Sequence, residues 1–194
     1  MRVIAGSAKG TRLYGAKGRD LRPVLDRVKE SMFAALGDRV VGARVLDLFA
    51  GVGNLGIEAL SRGAEHAVFI EQHRATAEAL AHNLERSHLS EKATLKVGKL
   101  PMALRSVSGR FGLLFIDPPF RIDGHLLEEL FERVRTRGFL DDGGLAVYRH
   151  SPHSRYDPPE DRWTLVERRD YGDSIISMYE TSERTDDEYR GGPV

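Results

Sequence analysis

The 194-residue chain contains no cysteine. That excludes a disulfide framework, a thiolate metal site and a cysteine nucleophile. It carries no net charge, with 29 Lys+Arg against 29 Asp+Glu, so attraction to a polyanion depends on where charges sit and not on their sum. No run approaches the ~18 apolar residues of a membrane span. The opening, Met1 to Arg12, has no apolar stretch of the secretory kind, so a cytoplasmic chain without membrane attachment is expected. There is no internal repeat. The single tryptophan, Trp163, reads as core or strand-edge packing. Seven histidines are scattered; His150 and His153 have metal-like spacing but no third ligand, so no metal site is expected. A Ser–His–Asp triad has no G-x-S-x-G elbow to support it.

The length suits one domain and allows about 70% of the unfolded surface to be buried. Charge divides the chain unevenly. Residues 1–30 hold eight basic and three acidic residues, a net of +5, whereas residues 181–194 are net −2 and nearly devoid of apolar side chains. The tail reads as frayed or disordered. The expected organisation is a basic extension over 1–40, a main domain over 41–180 and an acidic tail over 181–194.

In the extension, Arg2–Ala5 and Thr11–Tyr14 read as short strands paired through Gly6–Gly10. Pro23 suits the first turn of a helix that presents Leu25, Val28, Met32 and Leu36 on one face and stops at Gly37. From residue 44, strands at 44–49, 67–71, 93–97, 113–117 and 145–149 interleave with helices at 54–62, 73–87 and 123–135. Alternation of this kind means an α/β fold with a mainly parallel sheet covered on both faces. Strands at 164–171 and 174–180 are separated by Gly172-Asp173 alone, so the far edge is expected to be an antiparallel hairpin.

Two motifs carry chemistry. Gly51, Gly53 and Gly56 form G-x-G-x-x-G between a strand and a helix, and Glu71 ends the next strand, placed to accept hydrogen bonds from both hydroxyls of a ribose. A nucleoside cofactor is expected. A dinucleotide would bring its pyrophosphate to the helix N-terminus, where Asp47, four residues before Gly51, is unfavourable for an anion. The same carboxylate suits the ammonium and sulfonium of S-adenosylmethionine. The second motif is Asp117-Pro118-Pro119-Phe120, closing another strand. An aromatic exocyclic amine is a weak nucleophile and needs acceptors for its N–H groups. The Asp117 carboxylate and the Pro118 carbonyl supply two. Consecutive prolines stiffen the turn and bring no competing N–H, and Phe120 offers a stacking face for a flipped base.

These residues resemble the bacterial 16S rRNA (guanine-N2)-methyltransferases of the RsmD type. The likeness runs over about residues 2–180, through RVIAGSAKGTRL, LRPVLDRVKESMF, VLDLFAGVGNLGIEALSRGA, FIE, FIDPPF and YGDSIISMY. It implies a Rossmann-like class I methyltransferase with a seven-stranded sheet and a small N-terminal extension. S-adenosylmethionine would lie across Asp47, Phe49, Ala50, Gly51, Gly53, Asn54, Glu71, Gln72, Gly98 and Lys99, and reach Asp117. Asp117, Pro118 and Phe120 would serve the reaction on a guanine of 16S rRNA, in the small subunit or an assembly intermediate. Gly98 departs from the acid or amide common after the third strand, leaving only backbone groups for an adenine. Among the basic residues, Arg22 and Arg27, then Lys9 and Arg12, are the candidates for RNA phosphates, and Lys29 reads as a solvated helix position. A monomer is expected. The alternatives are an adenine-N6 DNA methyltransferase, an NAD-dependent oxidoreductase and a catalytically silent RNA-binding factor.

Overall fold

The computed structural model describes residues 1–15, 26–154 and 156–182. Seven strands form one sheet: β1 (Arg44–Asp47), β2 (His66–Glu71), β3 (Ala93–Val97), β4 (Phe111–Ile116), β5 (Leu140–His150), β6 (Trp163–Asp170) and β7 (Ile175–Thr181). Their spatial order is β3-β2-β1-β4-β5-β7-β6. The first five strands run parallel, and β7 lies antiparallel to β5 and to β6, the latter pair being joined by the Gly172-Asp173 turn. Helices α1 (Asp26–Leu36), α2 (Gly56–Ser61), α3 (Arg74–Arg86) and α4 (Gly124–Thr136) complete it. No helix among the described residues is long and apolar enough to cross a membrane.

The central strands carry consecutive apolar residues along their middles because each face meets a different layer. Val45, Phe69, Leu113, Phe115 and Val147 join one core with α1, α2 and α3. Their neighbours Leu46, Val68, Leu114, Ile116 and Tyr148 join the other, with α4 and Trp163. Period two thus sorts one apolar run into two cores. On α4, Leu127, Leu130, Phe131 and Val134 are the buried face, as their spacing predicts, and Asp123 caps the helix by accepting from the His125 amide at 3.0 Å. Trp163 is buried, edge-on to Phe131.

Several boundaries differ from expectation. The helix expected from Asn54 begins at Gly56, because the glycine turn occupies the preceding residues. Strand β5 starts at Leu140, five residues before the expected Leu145. Its pairing with β4 shifts register between Phe111 and Leu113, and that irregularity absorbs Gly143-Gly144. The N-terminal hairpin is reduced to a single antiparallel bridge, Arg2 to Arg12. Leu25 and the 183–194 tail lie outside the described residues.

The basic extension packs into the main core. Val3, Ala8 and Leu13 are buried with Val28, Met32 and Phe33. The reading of Lys29 as a solvated position is wrong: it is fully buried. Its ammonium donates to the Arg2 carbonyl at 2.6 Å and to Asn54 Oδ1 at 2.9 Å and lies 3.1 Å from Glu58. Glu58, also fully buried, accepts from the amides of Ile4 and Ala5 and from Arg62 Nε. Its charge predicted exposure, although its spacing from Met32 and Leu36 puts it on the apolar face; the N-terminal segment folds back over that face and supplies partners that make burial tolerable.

Candidate active site

The chain leaves β1 for β2 and β3 on one side of the sheet and then crosses to β4 on the other. In open α/β sheets, ligands bind where the order reverses, beyond the carboxyl ends of the strands. Register determines which side chains meet there. Asp47 is level with Phe69 on β2 and Phe115 on β4, so Glu71 and Asp117 each lie two residues further along flanking strands. Ile116 pairs with Tyr148 on β5, which sets Arg149 beside Asp117.

The glycine turn is built by exclusion. Gly51 has φ +54°, and a Cβ there would meet nothing nearer than the Phe49 carbonyl oxygen at 4.0 Å; the residue serves the turn through its backbone conformation. Gly56 is different. A Cβ would sit 2.2 Å from the Phe69 ring, so glycine lets α2 approach the sheet. Glu71 ties this turn down: its Oε2 accepts from the Gly51 amide at 3.0 Å and its Oε1 from the His73 amide at 2.8 Å. Each oxygen keeps a second lone pair.

Asp47 is almost entirely buried. Its Oδ2 accepts from the Gly56 amide at 3.1 Å, and its Oδ1 has no hydrogen-bond partner. Burial foremost, then the nearby Asp117 charge, pushes its carboxyl up to about 7, against the opposing Gly56 hydrogen bond. On the same turn, Asn54 gives its Oδ1 to Lys29 while its buried Nδ2 is also unpartnered. An orphaned acceptor at the end of β1 and an orphaned donor on the turn that follows fit a zwitterion, such as the amino-acid end of S-adenosylmethionine. Phe49 and Gly51 are half-buried and Ala50 buried along this wall, while Gln72 and Lys99 are exposed. The Gly98 amide donates to the Glu71 carbonyl at 3.0 Å, which spends it within the sheet edge.

Asp117 is 15% exposed and pairs with Arg149, itself 11% exposed, through Nε to Oδ1 at 2.7 Å. Burial raises the Asp117 carboxyl, and Arg149 pulls against it. Pro118 is buried and Phe120 half-buried. The Arg149 guanidinium lies 5.2 Å from the Phe120 ring centroid, covering one of the faces expected to stack a base. Arg149 was missed in the sequence reading. The available signal was a lone cation ending the apolar run Leu145–Tyr148, but its partner depends on the β4–β5 register.

His150 is a core residue, stacked on Tyr148 and bonded to Ser177 Oγ at 3.2 Å, with burial pushing its pKa down. Lys9, Arg12 and Arg27 are exposed. Arg22 lies outside the described residues.

The family model described as conserved hypothetical protein 95 matches residues 1–180. The ribosomal RNA small subunit methyltransferase D of Escherichia coli K12 is 34% identical over 187 residues, covering 93% of this chain and 89% of that protein. The Haemophilus influenzae protein of the same name is 30% identical, covering 93% of each. Among solved structures, yhhF from Escherichia coli has a TM-score of 0.80 at 34% identity, covering 94% of this chain and 98% of its own. An RNA methyltransferase from Salinibacter ruber, in complex with S-adenosyl-L-homocysteine, shares the fold at 17% identity, with a TM-score of 0.60 over 82% of this chain and 92% of its own. The seven-stranded sheet is thus that of Rossmann-like methyltransferases, and the chain belongs to the ribosomal RNA small subunit methyltransferase D family.

Proposed function

We propose that this chain transfers a methyl group from S-adenosylmethionine to the exocyclic N2 of a guanine in 16S rRNA, in the small ribosomal subunit or an assembly intermediate. The observation that carries the reading is the juxtaposition of Asp47, with its unpartnered buried oxygen, and the Asp117-Pro118-Pro119-Phe120 turn on the adjacent parallel strand. Asp47 Oδ1 would take the cofactor's ammonium, Asn54 Nδ2 its carboxylate and Glu71 its ribose. When bound, the cofactor supplies a methyl carbon activated by its sulfonium. The protein's own work is positioning and electrostatics.

Asp117 and the Pro118 carbonyl accept the two N2–H bonds, which returns lone-pair density to the nitrogen. One N2 proton must leave as the new N–C bond forms, and Asp117 Oδ2 is the acceptor for it on its way to solvent. A carboxylate presents two acceptors, and guanine offers adjacent N1–H and N2–H donors. Phe120 stacks the base.

Lys9, Arg12, Arg22 and Arg27 would meet phosphates. The enzyme is read as a cytoplasmic monomer that needs no metal, with RNA contact concentrated in residues 1–40 and methyl transfer in 41–180. The test is methyl transfer from labelled S-adenosylmethionine to small subunits from cells lacking the protein, followed by digestion of the RNA. Label in N2-methylguanosine is expected. Label in an adenosine would overturn the base assignment.

A further inference from the structure

Tyr14 is 54% exposed, although its backbone is held by a buried residue. Its amide donates to Asn83 Oδ1 at 2.9 Å, and Asn83 Nδ2 donates both to the Tyr14 carbonyl and to the Val52 carbonyl, at 3.0 Å each. Asn83 is fully buried. One amide group thus fastens Tyr14 to the glycine turn, two hydrogen bonds from Val52. The ring itself is solvated on one side and backed on the other by Arg86, whose guanidinium carbon is 4.8 Å from the centroid. Burial of apolar surface explains neither the ring nor the cation behind it, since both are open to water.

The neighbouring charges are arranged at a cost. Arg12, two residues before Tyr14, is exposed while Leu13 between them is buried, so alternation puts Arg12 and Tyr14 on the same outward face. Arg12 sits directly across the bridge from Arg2, and like charges in that relation repel. Asp26 neutralises Arg2 at 2.9 Å; no ion pair is formed by Arg12 among the described residues. Arg12 is thus left as an exposed cation open to an anion.

We infer that Tyr14, backed by Arg86 and flanked by Arg12, is a stacking platform for one unpaired nucleotide of the RNA substrate, seated beside the cofactor turn. The inference rests on the RNA-substrate reading above and adds residues to it. Two positions along an extended chain are about 6.6 Å apart, a reach comparable to one backbone step of an unstacked strand. Arg12 therefore meets a phosphate where Tyr14 meets the attached base. Aromatic stacking beside cationic phosphate contacts is how single-stranded RNA is held without sequence readout. The platform would anchor a nucleotide near the guanine presented to Asp117.

The test uses the full chain with protein-free 16S rRNA and with assembled small subunits. Tyr14→Ala is expected to raise the Kd and KM for protein-free RNA about tenfold, with affinity for S-adenosylmethionine and thermal stability unchanged, because the Asn83 bonds go to backbone. Tyr14→Phe is expected to restore binding. Arg12→Gln is expected to lower the slope of log affinity against log salt by about one, whereas Tyr14→Ala leaves that slope alone. Wild-type Kd and KM in Tyr14→Ala, while the wild-type enzyme methylates the RNA, would overturn this inference alone. A defect on assembled subunits without one on protein-free RNA would also overturn it, by making a protein the partner. Absence of transfer to any RNA by the wild-type chain would remove the substrate reading and this inference together.

Discussion

Arg149 and Asp117 show how one side chain sets the working form of another. In the proposed reaction Asp117 serves as an acceptor while ionised, and burial favours its protonated form. The Nε contact at 2.7 Å favours the charged form. Asp47 and Glu71 are the other carboxylates around this strand-end crevice, and Arg149 is the cation on the side of β5. Asp117→Ala is expected to cut turnover by at least ~100-fold with cofactor binding retained, the usual scale for one well-placed polar group. Arg149→Met is expected to move the rising limb of the pH–rate profile to higher pH, because Asp117 then ionises later, and Arg149→Lys to restore part of it. Pre-steady-state methyl transfer across pH reads both, and an unmoved profile in Arg149→Met would deny the role. Asp47 works in the opposite sense. Its carboxyl, raised to about 7 in the fold, binds a proton more tightly there than in the unfolded chain. Stability of the cofactor-free protein therefore declines as pH rises from about 4 to 7. Asp47→Asn is expected to raise Tm at pH 8, with the gain fading toward pH 4, and to weaken S-adenosylmethionine binding measured by calorimetry.

At the scale of elements, α1 and α2 are joined to the N-terminal segment through charge. The Lys29 ammonium and the Glu58 carboxylate are both fully buried, and each has further hydrogen bonds. Burial is the main reason the Lys29 pKa falls, with Glu58 opposing it. Such a pair need not outperform an apolar contact, but removing one member strands the other. Lys29→Met is expected to destabilise the chain by about 3 kcal/mol, read from urea unfolding midpoints at constant m-value. It also frees Asn54 Oδ1, so the same variant should weaken cofactor binding. An α1 mutation would thereby be felt in the glycine turn.

Across the whole molecule, the switch in strand order between β1 and β4 assembles the site, and the N-terminal segment completes the core on one face of the sheet. Val3 and Leu13 are nearly inaccessible. Ser61 Oγ accepts from the Ala8 amide and donates to the Ala5 carbonyl. Deletion of residues 1–15 is therefore expected to unfold or collapse the core, and not to release a folded sheet domain without its RNA contacts. Near-UV circular dichroism and the cooperativity of thermal melting distinguish the two. A cooperative melt in the truncated chain would mean the extension is dispensable for folding.

What the sequence determined by itself is whatever short-range pattern encodes. The short strand segments at 45–49 and 113–117, the spacing of Leu127, Leu130, Phe131 and Val134, the Gly51–Gly56 turn and the Gly172-Asp173 hairpin all state their structure within a few residues, because side-chain period and turn chemistry are local. The Asp117-Pro118-Pro119-Phe120 motif was legible for the same reason. Tertiary structure alone decided which charges meet. Nothing local marks Lys29 for Asn54 and Glu58, Arg149 for Asp117 or Arg86 for Tyr14, since each pairing spans at least 25 positions and depends on register and on a segment folding back. Charge energetics turn on desolvation and on partners a few ångströms away, and only the folded chain supplies both.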